Sequence, residues 1–151
     1  MMALTTFVSQ NRGAKEYERA RKGARFGLVC SVSLAETIGL LIALFVTPLM
    51  RLFVDDPQVI QYGVERAHYA TILFFMLAYS HGVSAVLRGV GKSVVPMVVM
   101  LVCWCLVRVT LLTMLNMLFH NILFVYLIYP FTWSLSSIVF FLYYRKINSQ
   151  V

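Results

Sequence analysis

Glu36 and Arg108 are the two formally charged residues that lie deep inside long apolar runs of this sequence. A charge at the centre of a bilayer costs at least about 2.5–3.5 kcal/mol, so such a residue faces water, finds a partner or performs a function. A carboxyl group at that depth can carry a proton or hold a cation, and a guanidinium can neutralise it. Counting helical rise from the ends of their runs puts the two at depths differing by about 7–8 Å, within reach of two long side chains. A structural Glu36–Arg108 pair and an ion-coupling role for Glu36 are both consistent with this spacing.

A second polar group is Tyr79, Ser80, His81 and Ser84. Tyr79 and His81 stand two apart and do not share a helix face, whereas His81 and Ser84 do. A histidine there can shuttle protons or simply pack through hydrogen bonds. Tyr129-Pro130 interrupts another run. Proline lacks an N–H and frees the carbonyl of Tyr126, for which Thr132 and Ser134 are nearby donors. Such a site lines a pathway or serves packing. Cys30, Cys103 and Cys105 are odd in number and all lie in apolar runs, which argues against a disulfide framework. Cys103 and Cys105 diverge around a helix, so no metal site is expected. Gly89-Val90-Gly91-Lys92-Ser93 has the look of a phosphate loop, but Val86 stands where its first glycine belongs, and no strand precedes it. With no nucleophile–base pair on one face, the chain is not expected to be an enzyme and needs no cofactor.

The elements that must carry these residues are four runs, Phe26–Leu49, His68–Leu87, Val94–Leu115 and Ile122–Tyr144 (spans A to D). Each has roughly the 20 residues that an α-helix needs to cross a bilayer core. The connecting segments sort their basic residues unevenly. Arg12, Lys15, Arg19, Arg21, Lys22, Arg25, Arg88, Lys92, Arg145 and Lys146 fall on one side, and Arg51 and Arg66 on the other. Positive residues stay inside, so both termini are expected in the cytoplasm, in a multi-pass protein of the cytoplasmic membrane. The hydrophobic fraction of 60% and mean hydropathy of +0.80 exceed those of a soluble domain. The net charge of +7 clusters at span ends, which suits lipid headgroups and not nucleic acid.

Met1–Val8 is apolar before the charges begin, the reverse of a signal peptide, and reads as the end of a preceding helix. Residues 1–25 then form that stub and a basic connector, with Gly13 as the stop and Glu16–Arg19 and Glu18–Lys22 able to pair. Residues 26–151 form the membrane part. Asp55-Asp56-Pro57 is a helix start, Gly89 and Gly91 stop span B, and Pro96 opens span C. The outer C–D loop, Asn116–Asn121, carries no charge when His120 is neutral.

On four sets of residues the chain resembles the multidrug and toxic compound extrusion (MATE) transporters. Gln10-Asn11-Arg12-Gly13-Ala14, followed by Tyr17 to Gly23, is similar to the family's Q-N-x-G-A connector. Leu52-Phe53 with Asp55-Asp56-Pro57 resembles its external helix start. Leu87-Arg88-Gly89-Val90-Gly91-Lys92-Ser93 with Pro96-Met97 resembles its L-R-G-x-G turn, and Tyr129-Pro130 with Trp133 its last helix. The resemblance implies an all-α, polytopic membrane bundle: the four last helices of the C-terminal lobe of a twelve-helix transporter. It implies export of drug-like, often cationic, organic compounds against inward H+ or Na+. Partners would be membrane lipid and the missing N-terminal lobe, and the fragment alone would be inactive. Gln10, Asn11, Gly13, Ala14, Arg88, Gly89 and Gly91 would be structural; Glu36, Arg108, Tyr79, His81, Tyr129 and Pro130 would line the cavity or couple ions. In one respect the chain departs. Sodium-coupled relatives carry an acid about ten residues before the L-R-G turn, where this chain has Leu77. A lipid-linked oligosaccharide flippase of the same superfamily, which would need a cationic cavity, and a non-transporting membrane interaction protein are the alternatives.

Overall fold

The computed structural model describes residues 1–119 and 122–147, all of whose regular elements are helices. They are α1 (Met2–Gly13), α2 (Tyr17–Arg51), α3 (Pro57–Thr71), α4 (Phe74–Gly89), α5 (Val94–Met100), a π-helical segment (Leu101–Val107), α6 (Arg108–Phe119) and α7 (Ile122–Ile147). Three stretches are long and apolar enough to cross a membrane: α2, the continuous Val94–Leu118, and Leu123–Ile147. A bent pair, α3 with α4, makes a fourth. The chain is thus a membrane helix bundle. His120 lies outside the described residues.

Local chemistry sets most of the ends. Asp56 caps α3, its carboxylate accepting the Gln58 N–H at 2.8 Å, and Pro57 occupies the first helical position. α4 ends in a Schellman motif: the Lys92 N–H donates to the Leu87 carbonyl at 2.9 Å and the Gly91 N–H to that of Arg88 at 3.0 Å. Gly91 adopts a φ of +86°, which the motif requires. The end of α1 repeats this hydrogen-bond pattern, with the Glu16 N–H on the Asn11 carbonyl and the Lys15 N–H on that of Arg12. There the left-handed position is Lys15, at φ 62°, and Gly13 is the last helical residue. From Tyr17 the basic connector continues into span A as one helix, with Glu18 and Lys22 paired at 2.8 Å on its exposed face.

Two boundaries differ from expectation. Span B is not one straight helix, because α3 and α4 meet at 56° around Ile72–Leu73. No proline or glycine marks that break. The Thr71 hydroxyl bonds back to the Ala67 carbonyl at 2.7 Å, a contact that bends helices, and Thr71 is buried against Gly39 of α2. In span D, Pro130 leaves α7 continuous. Thr132 donates to the Tyr129 carbonyl at 3.0 Å and Ser134 to that of Pro130 at 2.8 Å, so neither serves the Tyr126 carbonyl as anticipated.

The core lies at the end of the bundle where α1, α2, α4 and α7 meet. Val8, Ala24, Leu28, Val83, Val86, Leu87, Val90, Phe140 and Ile147 form it. Gly89 makes the close approach of α4 to α1 possible: a Cβ there would lie 2.8 Å from the Thr5 carbonyl oxygen and from Val8 Cβ. The Thr5 hydroxyl completes the contact by donating to the Ala85 carbonyl at 3.0 Å. Gln10, Asn11, Gly13 and Ala14 close α1, where the Asn11 amide donates to the Phe7 carbonyl at 2.8 Å. Arg88 ends α4 with its side chain exposed.

Candidate functional site: a polar and aromatic seam between α6 and α7

Arg108 opens α6 directly after the π-helical segment, and its side chain crosses to α7. Its Nε and Nη2 both donate to Thr132 Oγ1, at 3.2 and 2.7 Å. That hydroxyl in turn donates a hydrogen bond to the Tyr129 carbonyl at 3.0 Å, so the threonine accepts and donates at once. The guanidinium carbon lies 4.6 Å from the Tyr129 ring centre and 5.6 Å from that of Trp104. Each such contact contributes about 0.5–2 kcal/mol, depending on how far water is excluded.

The seam extends along α7. The Trp104 indole N–H donates to Ser136 at 3.2 Å. Ser136 and Ser137 both meet Ser80 of α4, at 3.0 and 2.8 Å, and Ser137 donates to the Met76 carbonyl. His81 stands edge-on to Trp104 at 5.1 Å. Tyr79 faces elsewhere, into an apolar groove of about 290 Å³ with Val32, Phe75, Met76, Ser137, Ile138 and Phe141. His81 and Ser84, expected on one face, are not hydrogen-bonded; the Ser84 hydroxyl is buried without a partner. Pro130 is buried beneath the seam. Cys103 is buried and Cys105 exposed, as their divergence requires, and no group of three metal-ligating side chains occurs among the described residues.

The Glu36–Arg108 pair does not form. Arg108 is engaged by Thr132 and two rings, while Glu36 Oε2 is closed off from solvent with no hydrogen-bond partner. On α2, Val32, Glu36 and Gly39 share a face at helical spacing. Val32 lines one groove with Phe75 and Met76, and Gly39 lies against Thr71 and Phe74, which directs Glu36 toward the break between α3 and α4. Matching depth did not bring the two charges together, because their helices turn them to different neighbours.

Sequence reasoning missed Arg66. It was counted as a charge of an external segment, yet it lies within α3 and its guanidinium carbon is 5.0 Å from the Tyr129 ring centre. Two guanidiniums therefore share one ring, their centres no more than about 10 Å apart, where like charges repel by about 1.7 kcal/mol at an effective dielectric of about 20. A usable signal was present. Arg66 and Tyr69 on α3 and Tyr126 and Tyr129 on α7 are both spaced by three, and Tyr69 stacks on Tyr126 at 6.2 Å.

Apolar helices of spanning length around a polar, aromatic seam define a polytopic membrane protein. The MatE family model matches residues 1–114, about three quarters of the chain, and the chain belongs to that family. It is 32% identical over 98 residues to a protein of Thermotoga maritima described as probable multidrug resistance protein NorM. That match covers 65% of this chain and 21% of the relative, so the chain spans about a fifth of the length of the protein it matches.

Proposed function

We propose that this chain is part of the C-terminal lobe of a multidrug efflux antiporter that exports drug-like organic compounds in exchange for H+ or Na+. The observation that carries this reading is the Arg108–Thr132–Tyr129 seam, a polar and aromatic wall within an apolar bundle of the MatE family. Residues of that kind are retained at membrane depth where they face a pathway. Rocking of two lobes would expose the wall alternately to each side of the membrane, so export would need helices beyond these. Glu36 is the candidate coupling group. Its unpartnered Oε2 can accept a proton or meet a cation, and Leu77 leaves the family's other acid missing from α4. With both termini in the cytoplasm of a cytoplasmic-membrane protein, α1, Lys15 and Gly91 lie on the inner side.

Cells producing this chain together with the preceding eight helices of a MATE relative are expected to expel ethidium under an ion gradient. Cells producing this chain alone are not. Glu36→Gln should uncouple export from the gradient in the paired system. Export that keeps its full ion dependence in that variant would remove Glu36 from the mechanism, and gradient-driven export by the chain alone would overturn the two-lobe reading.

A second reading, translocation of a lipid-linked oligosaccharide, draws support from Arg66, which joins Arg108 and makes the seam more cationic.

A further inference from the structure

We propose that Arg66, Tyr129 and Arg108 form a binding site for the oxyanion, carboxylate or phosphate, of an amphiphilic molecule. The claim deepens the transporter reading, on which it rests only for what the site is used for. Three observations carry it. First, two guanidiniums converge on one ring, and neither is in an ion pair among the described residues. The carboxylate beside Arg66 in sequence, Glu65, accepts from the Gln61 amide at 3.0 Å instead. Thr132 accepts from Nε and Nη2 of Arg108, Nη1 has no acceptor among the described residues, and Arg66 is exposed. Forked guanidinium donors are matched to carboxylate and phosphate oxygens, and a shared oxyanion would relieve their mutual repulsion.

Second, the Tyr126 hydroxyl is buried without a partner although the residue is only 5% exposed. It lies within electrostatic reach of Arg66, Glu65 and Tyr62. A buried donor left unmatched within reach of Arg66 fits an acceptor that the bundle does not supply. Third, the surroundings suit an apolar tail. Leu111 and Leu115 follow Arg108 on one face of α6 at helical spacing, and with Phe124, Leu127, Ile128 and Phe131 they line a wholly apolar groove of about 260 Å³. The site thus offers charge for a head, and the groove on the Arg108 face of α6 offers a furrow for a chain.

The chain contains two tryptophans, Trp104 beside Arg108 and Trp133 beside Tyr129, so its intrinsic fluorescence reports the site. In phosphatidylcholine nanodiscs, decanoate and decyl phosphate should each change that fluorescence saturably, and decyltrimethylammonium should not. Arg66→Gln and Arg108→Gln should each raise the half-saturating concentration about tenfold or more. Arg66→Gln alters an exposed side chain and keeps the test valid should the other variant fail to fold, with helix content followed by circular dichroism. Nanodiscs containing phosphatidylglycerol separate the sources. A fluorescence change on adding that lipid, with decanoate no longer effective, assigns the oxyanion to a lipid headgroup; an undiminished decanoate response assigns it to a soluble amphiphile. An equal response to decyltrimethylammonium, or an anion response unchanged in the Arg66→Gln protein, overturns the site. Gradient-driven ethidium export without any anion binding would sink this inference alone; anion binding without export would sink only the transport reading.

Discussion

Arg108 and Glu36 are both charged groups deep in apolar helices, and the bundle treats them differently. Around Arg108, α7 supplies a hydroxyl and one ring face and the π-helical segment a second ring, so the charge is held by neutral groups. Around Glu36, α2 meets the broken junction of α3 and α4, and one carboxyl oxygen is enclosed with nothing to bind. A cation on aromatic faces needs no counter-charge to be tolerated. A carboxylate without donors does, unless it takes up a proton or a cation. The contrast separates a group positioned to stay as it is from one positioned to change state.

The largest effect that could break this contrast is a hidden pairing. Were Glu36 and Arg108 an ion pair, Glu36→Leu would leave a buried charge and cost about 3–5 kcal/mol. Since the carboxyl is unpartnered, Glu36→Leu should instead leave stability unchanged or raise it by about 1 kcal/mol, measured by denaturant unfolding in mixed micelles. Next in size, Thr132→Val removes the acceptor for two Arg108 N–H groups and should cost about 1–2 kcal/mol in the same assay. A neutral result would mean that the ring faces alone hold the guanidinium. Smaller still, a double-mutant cycle of Glu36→Gln with Arg108→Gln should be additive within about 0.5 kcal/mol. A coupling well above that would restore the pair. A separate effect belongs to the turn that follows α1, remote from both charges. Lys15→Gly relieves a left-handed, non-glycine position and should stabilise by about 0.5–1 kcal/mol, without moving tryptophan fluorescence.

How much of this was legible in advance depended on the range of the forces involved. The start of α3 at Pro57 and the stop of α4 at Gly89 were readable, because an aspartate cap, a proline and a left-handed glycine act within a few residues. The placing of Glu36 and Arg108 within helices was readable too, since both stand in long apolar runs. Their facing was not, because rotation about each axis is settled by packing against neighbours far along the chain. The same reason hid the bend at Ile72–Leu73, where Thr71 packs against Gly39 and bonds back to Ala67 and no breaker residue stands. Arg66 was read as a topology marker because it lies between the helix start at Pro57 and the apolar run that begins at His68.

The π-helical stretch from Leu101 to Val107 behaves as though extra chain had been let into span C just ahead of Arg108. Residues on either side of it therefore keep separate angular registers. A residue of α5 and one of α6 whose spacing suits an ideal α-helix do not share a face. Removing one residue from that stretch would swing Trp104 and everything before it around the axis relative to Arg108, while leaving composition and hydropathy almost unaltered. Orientation in this part of the molecule is written in residue count, not in residue type.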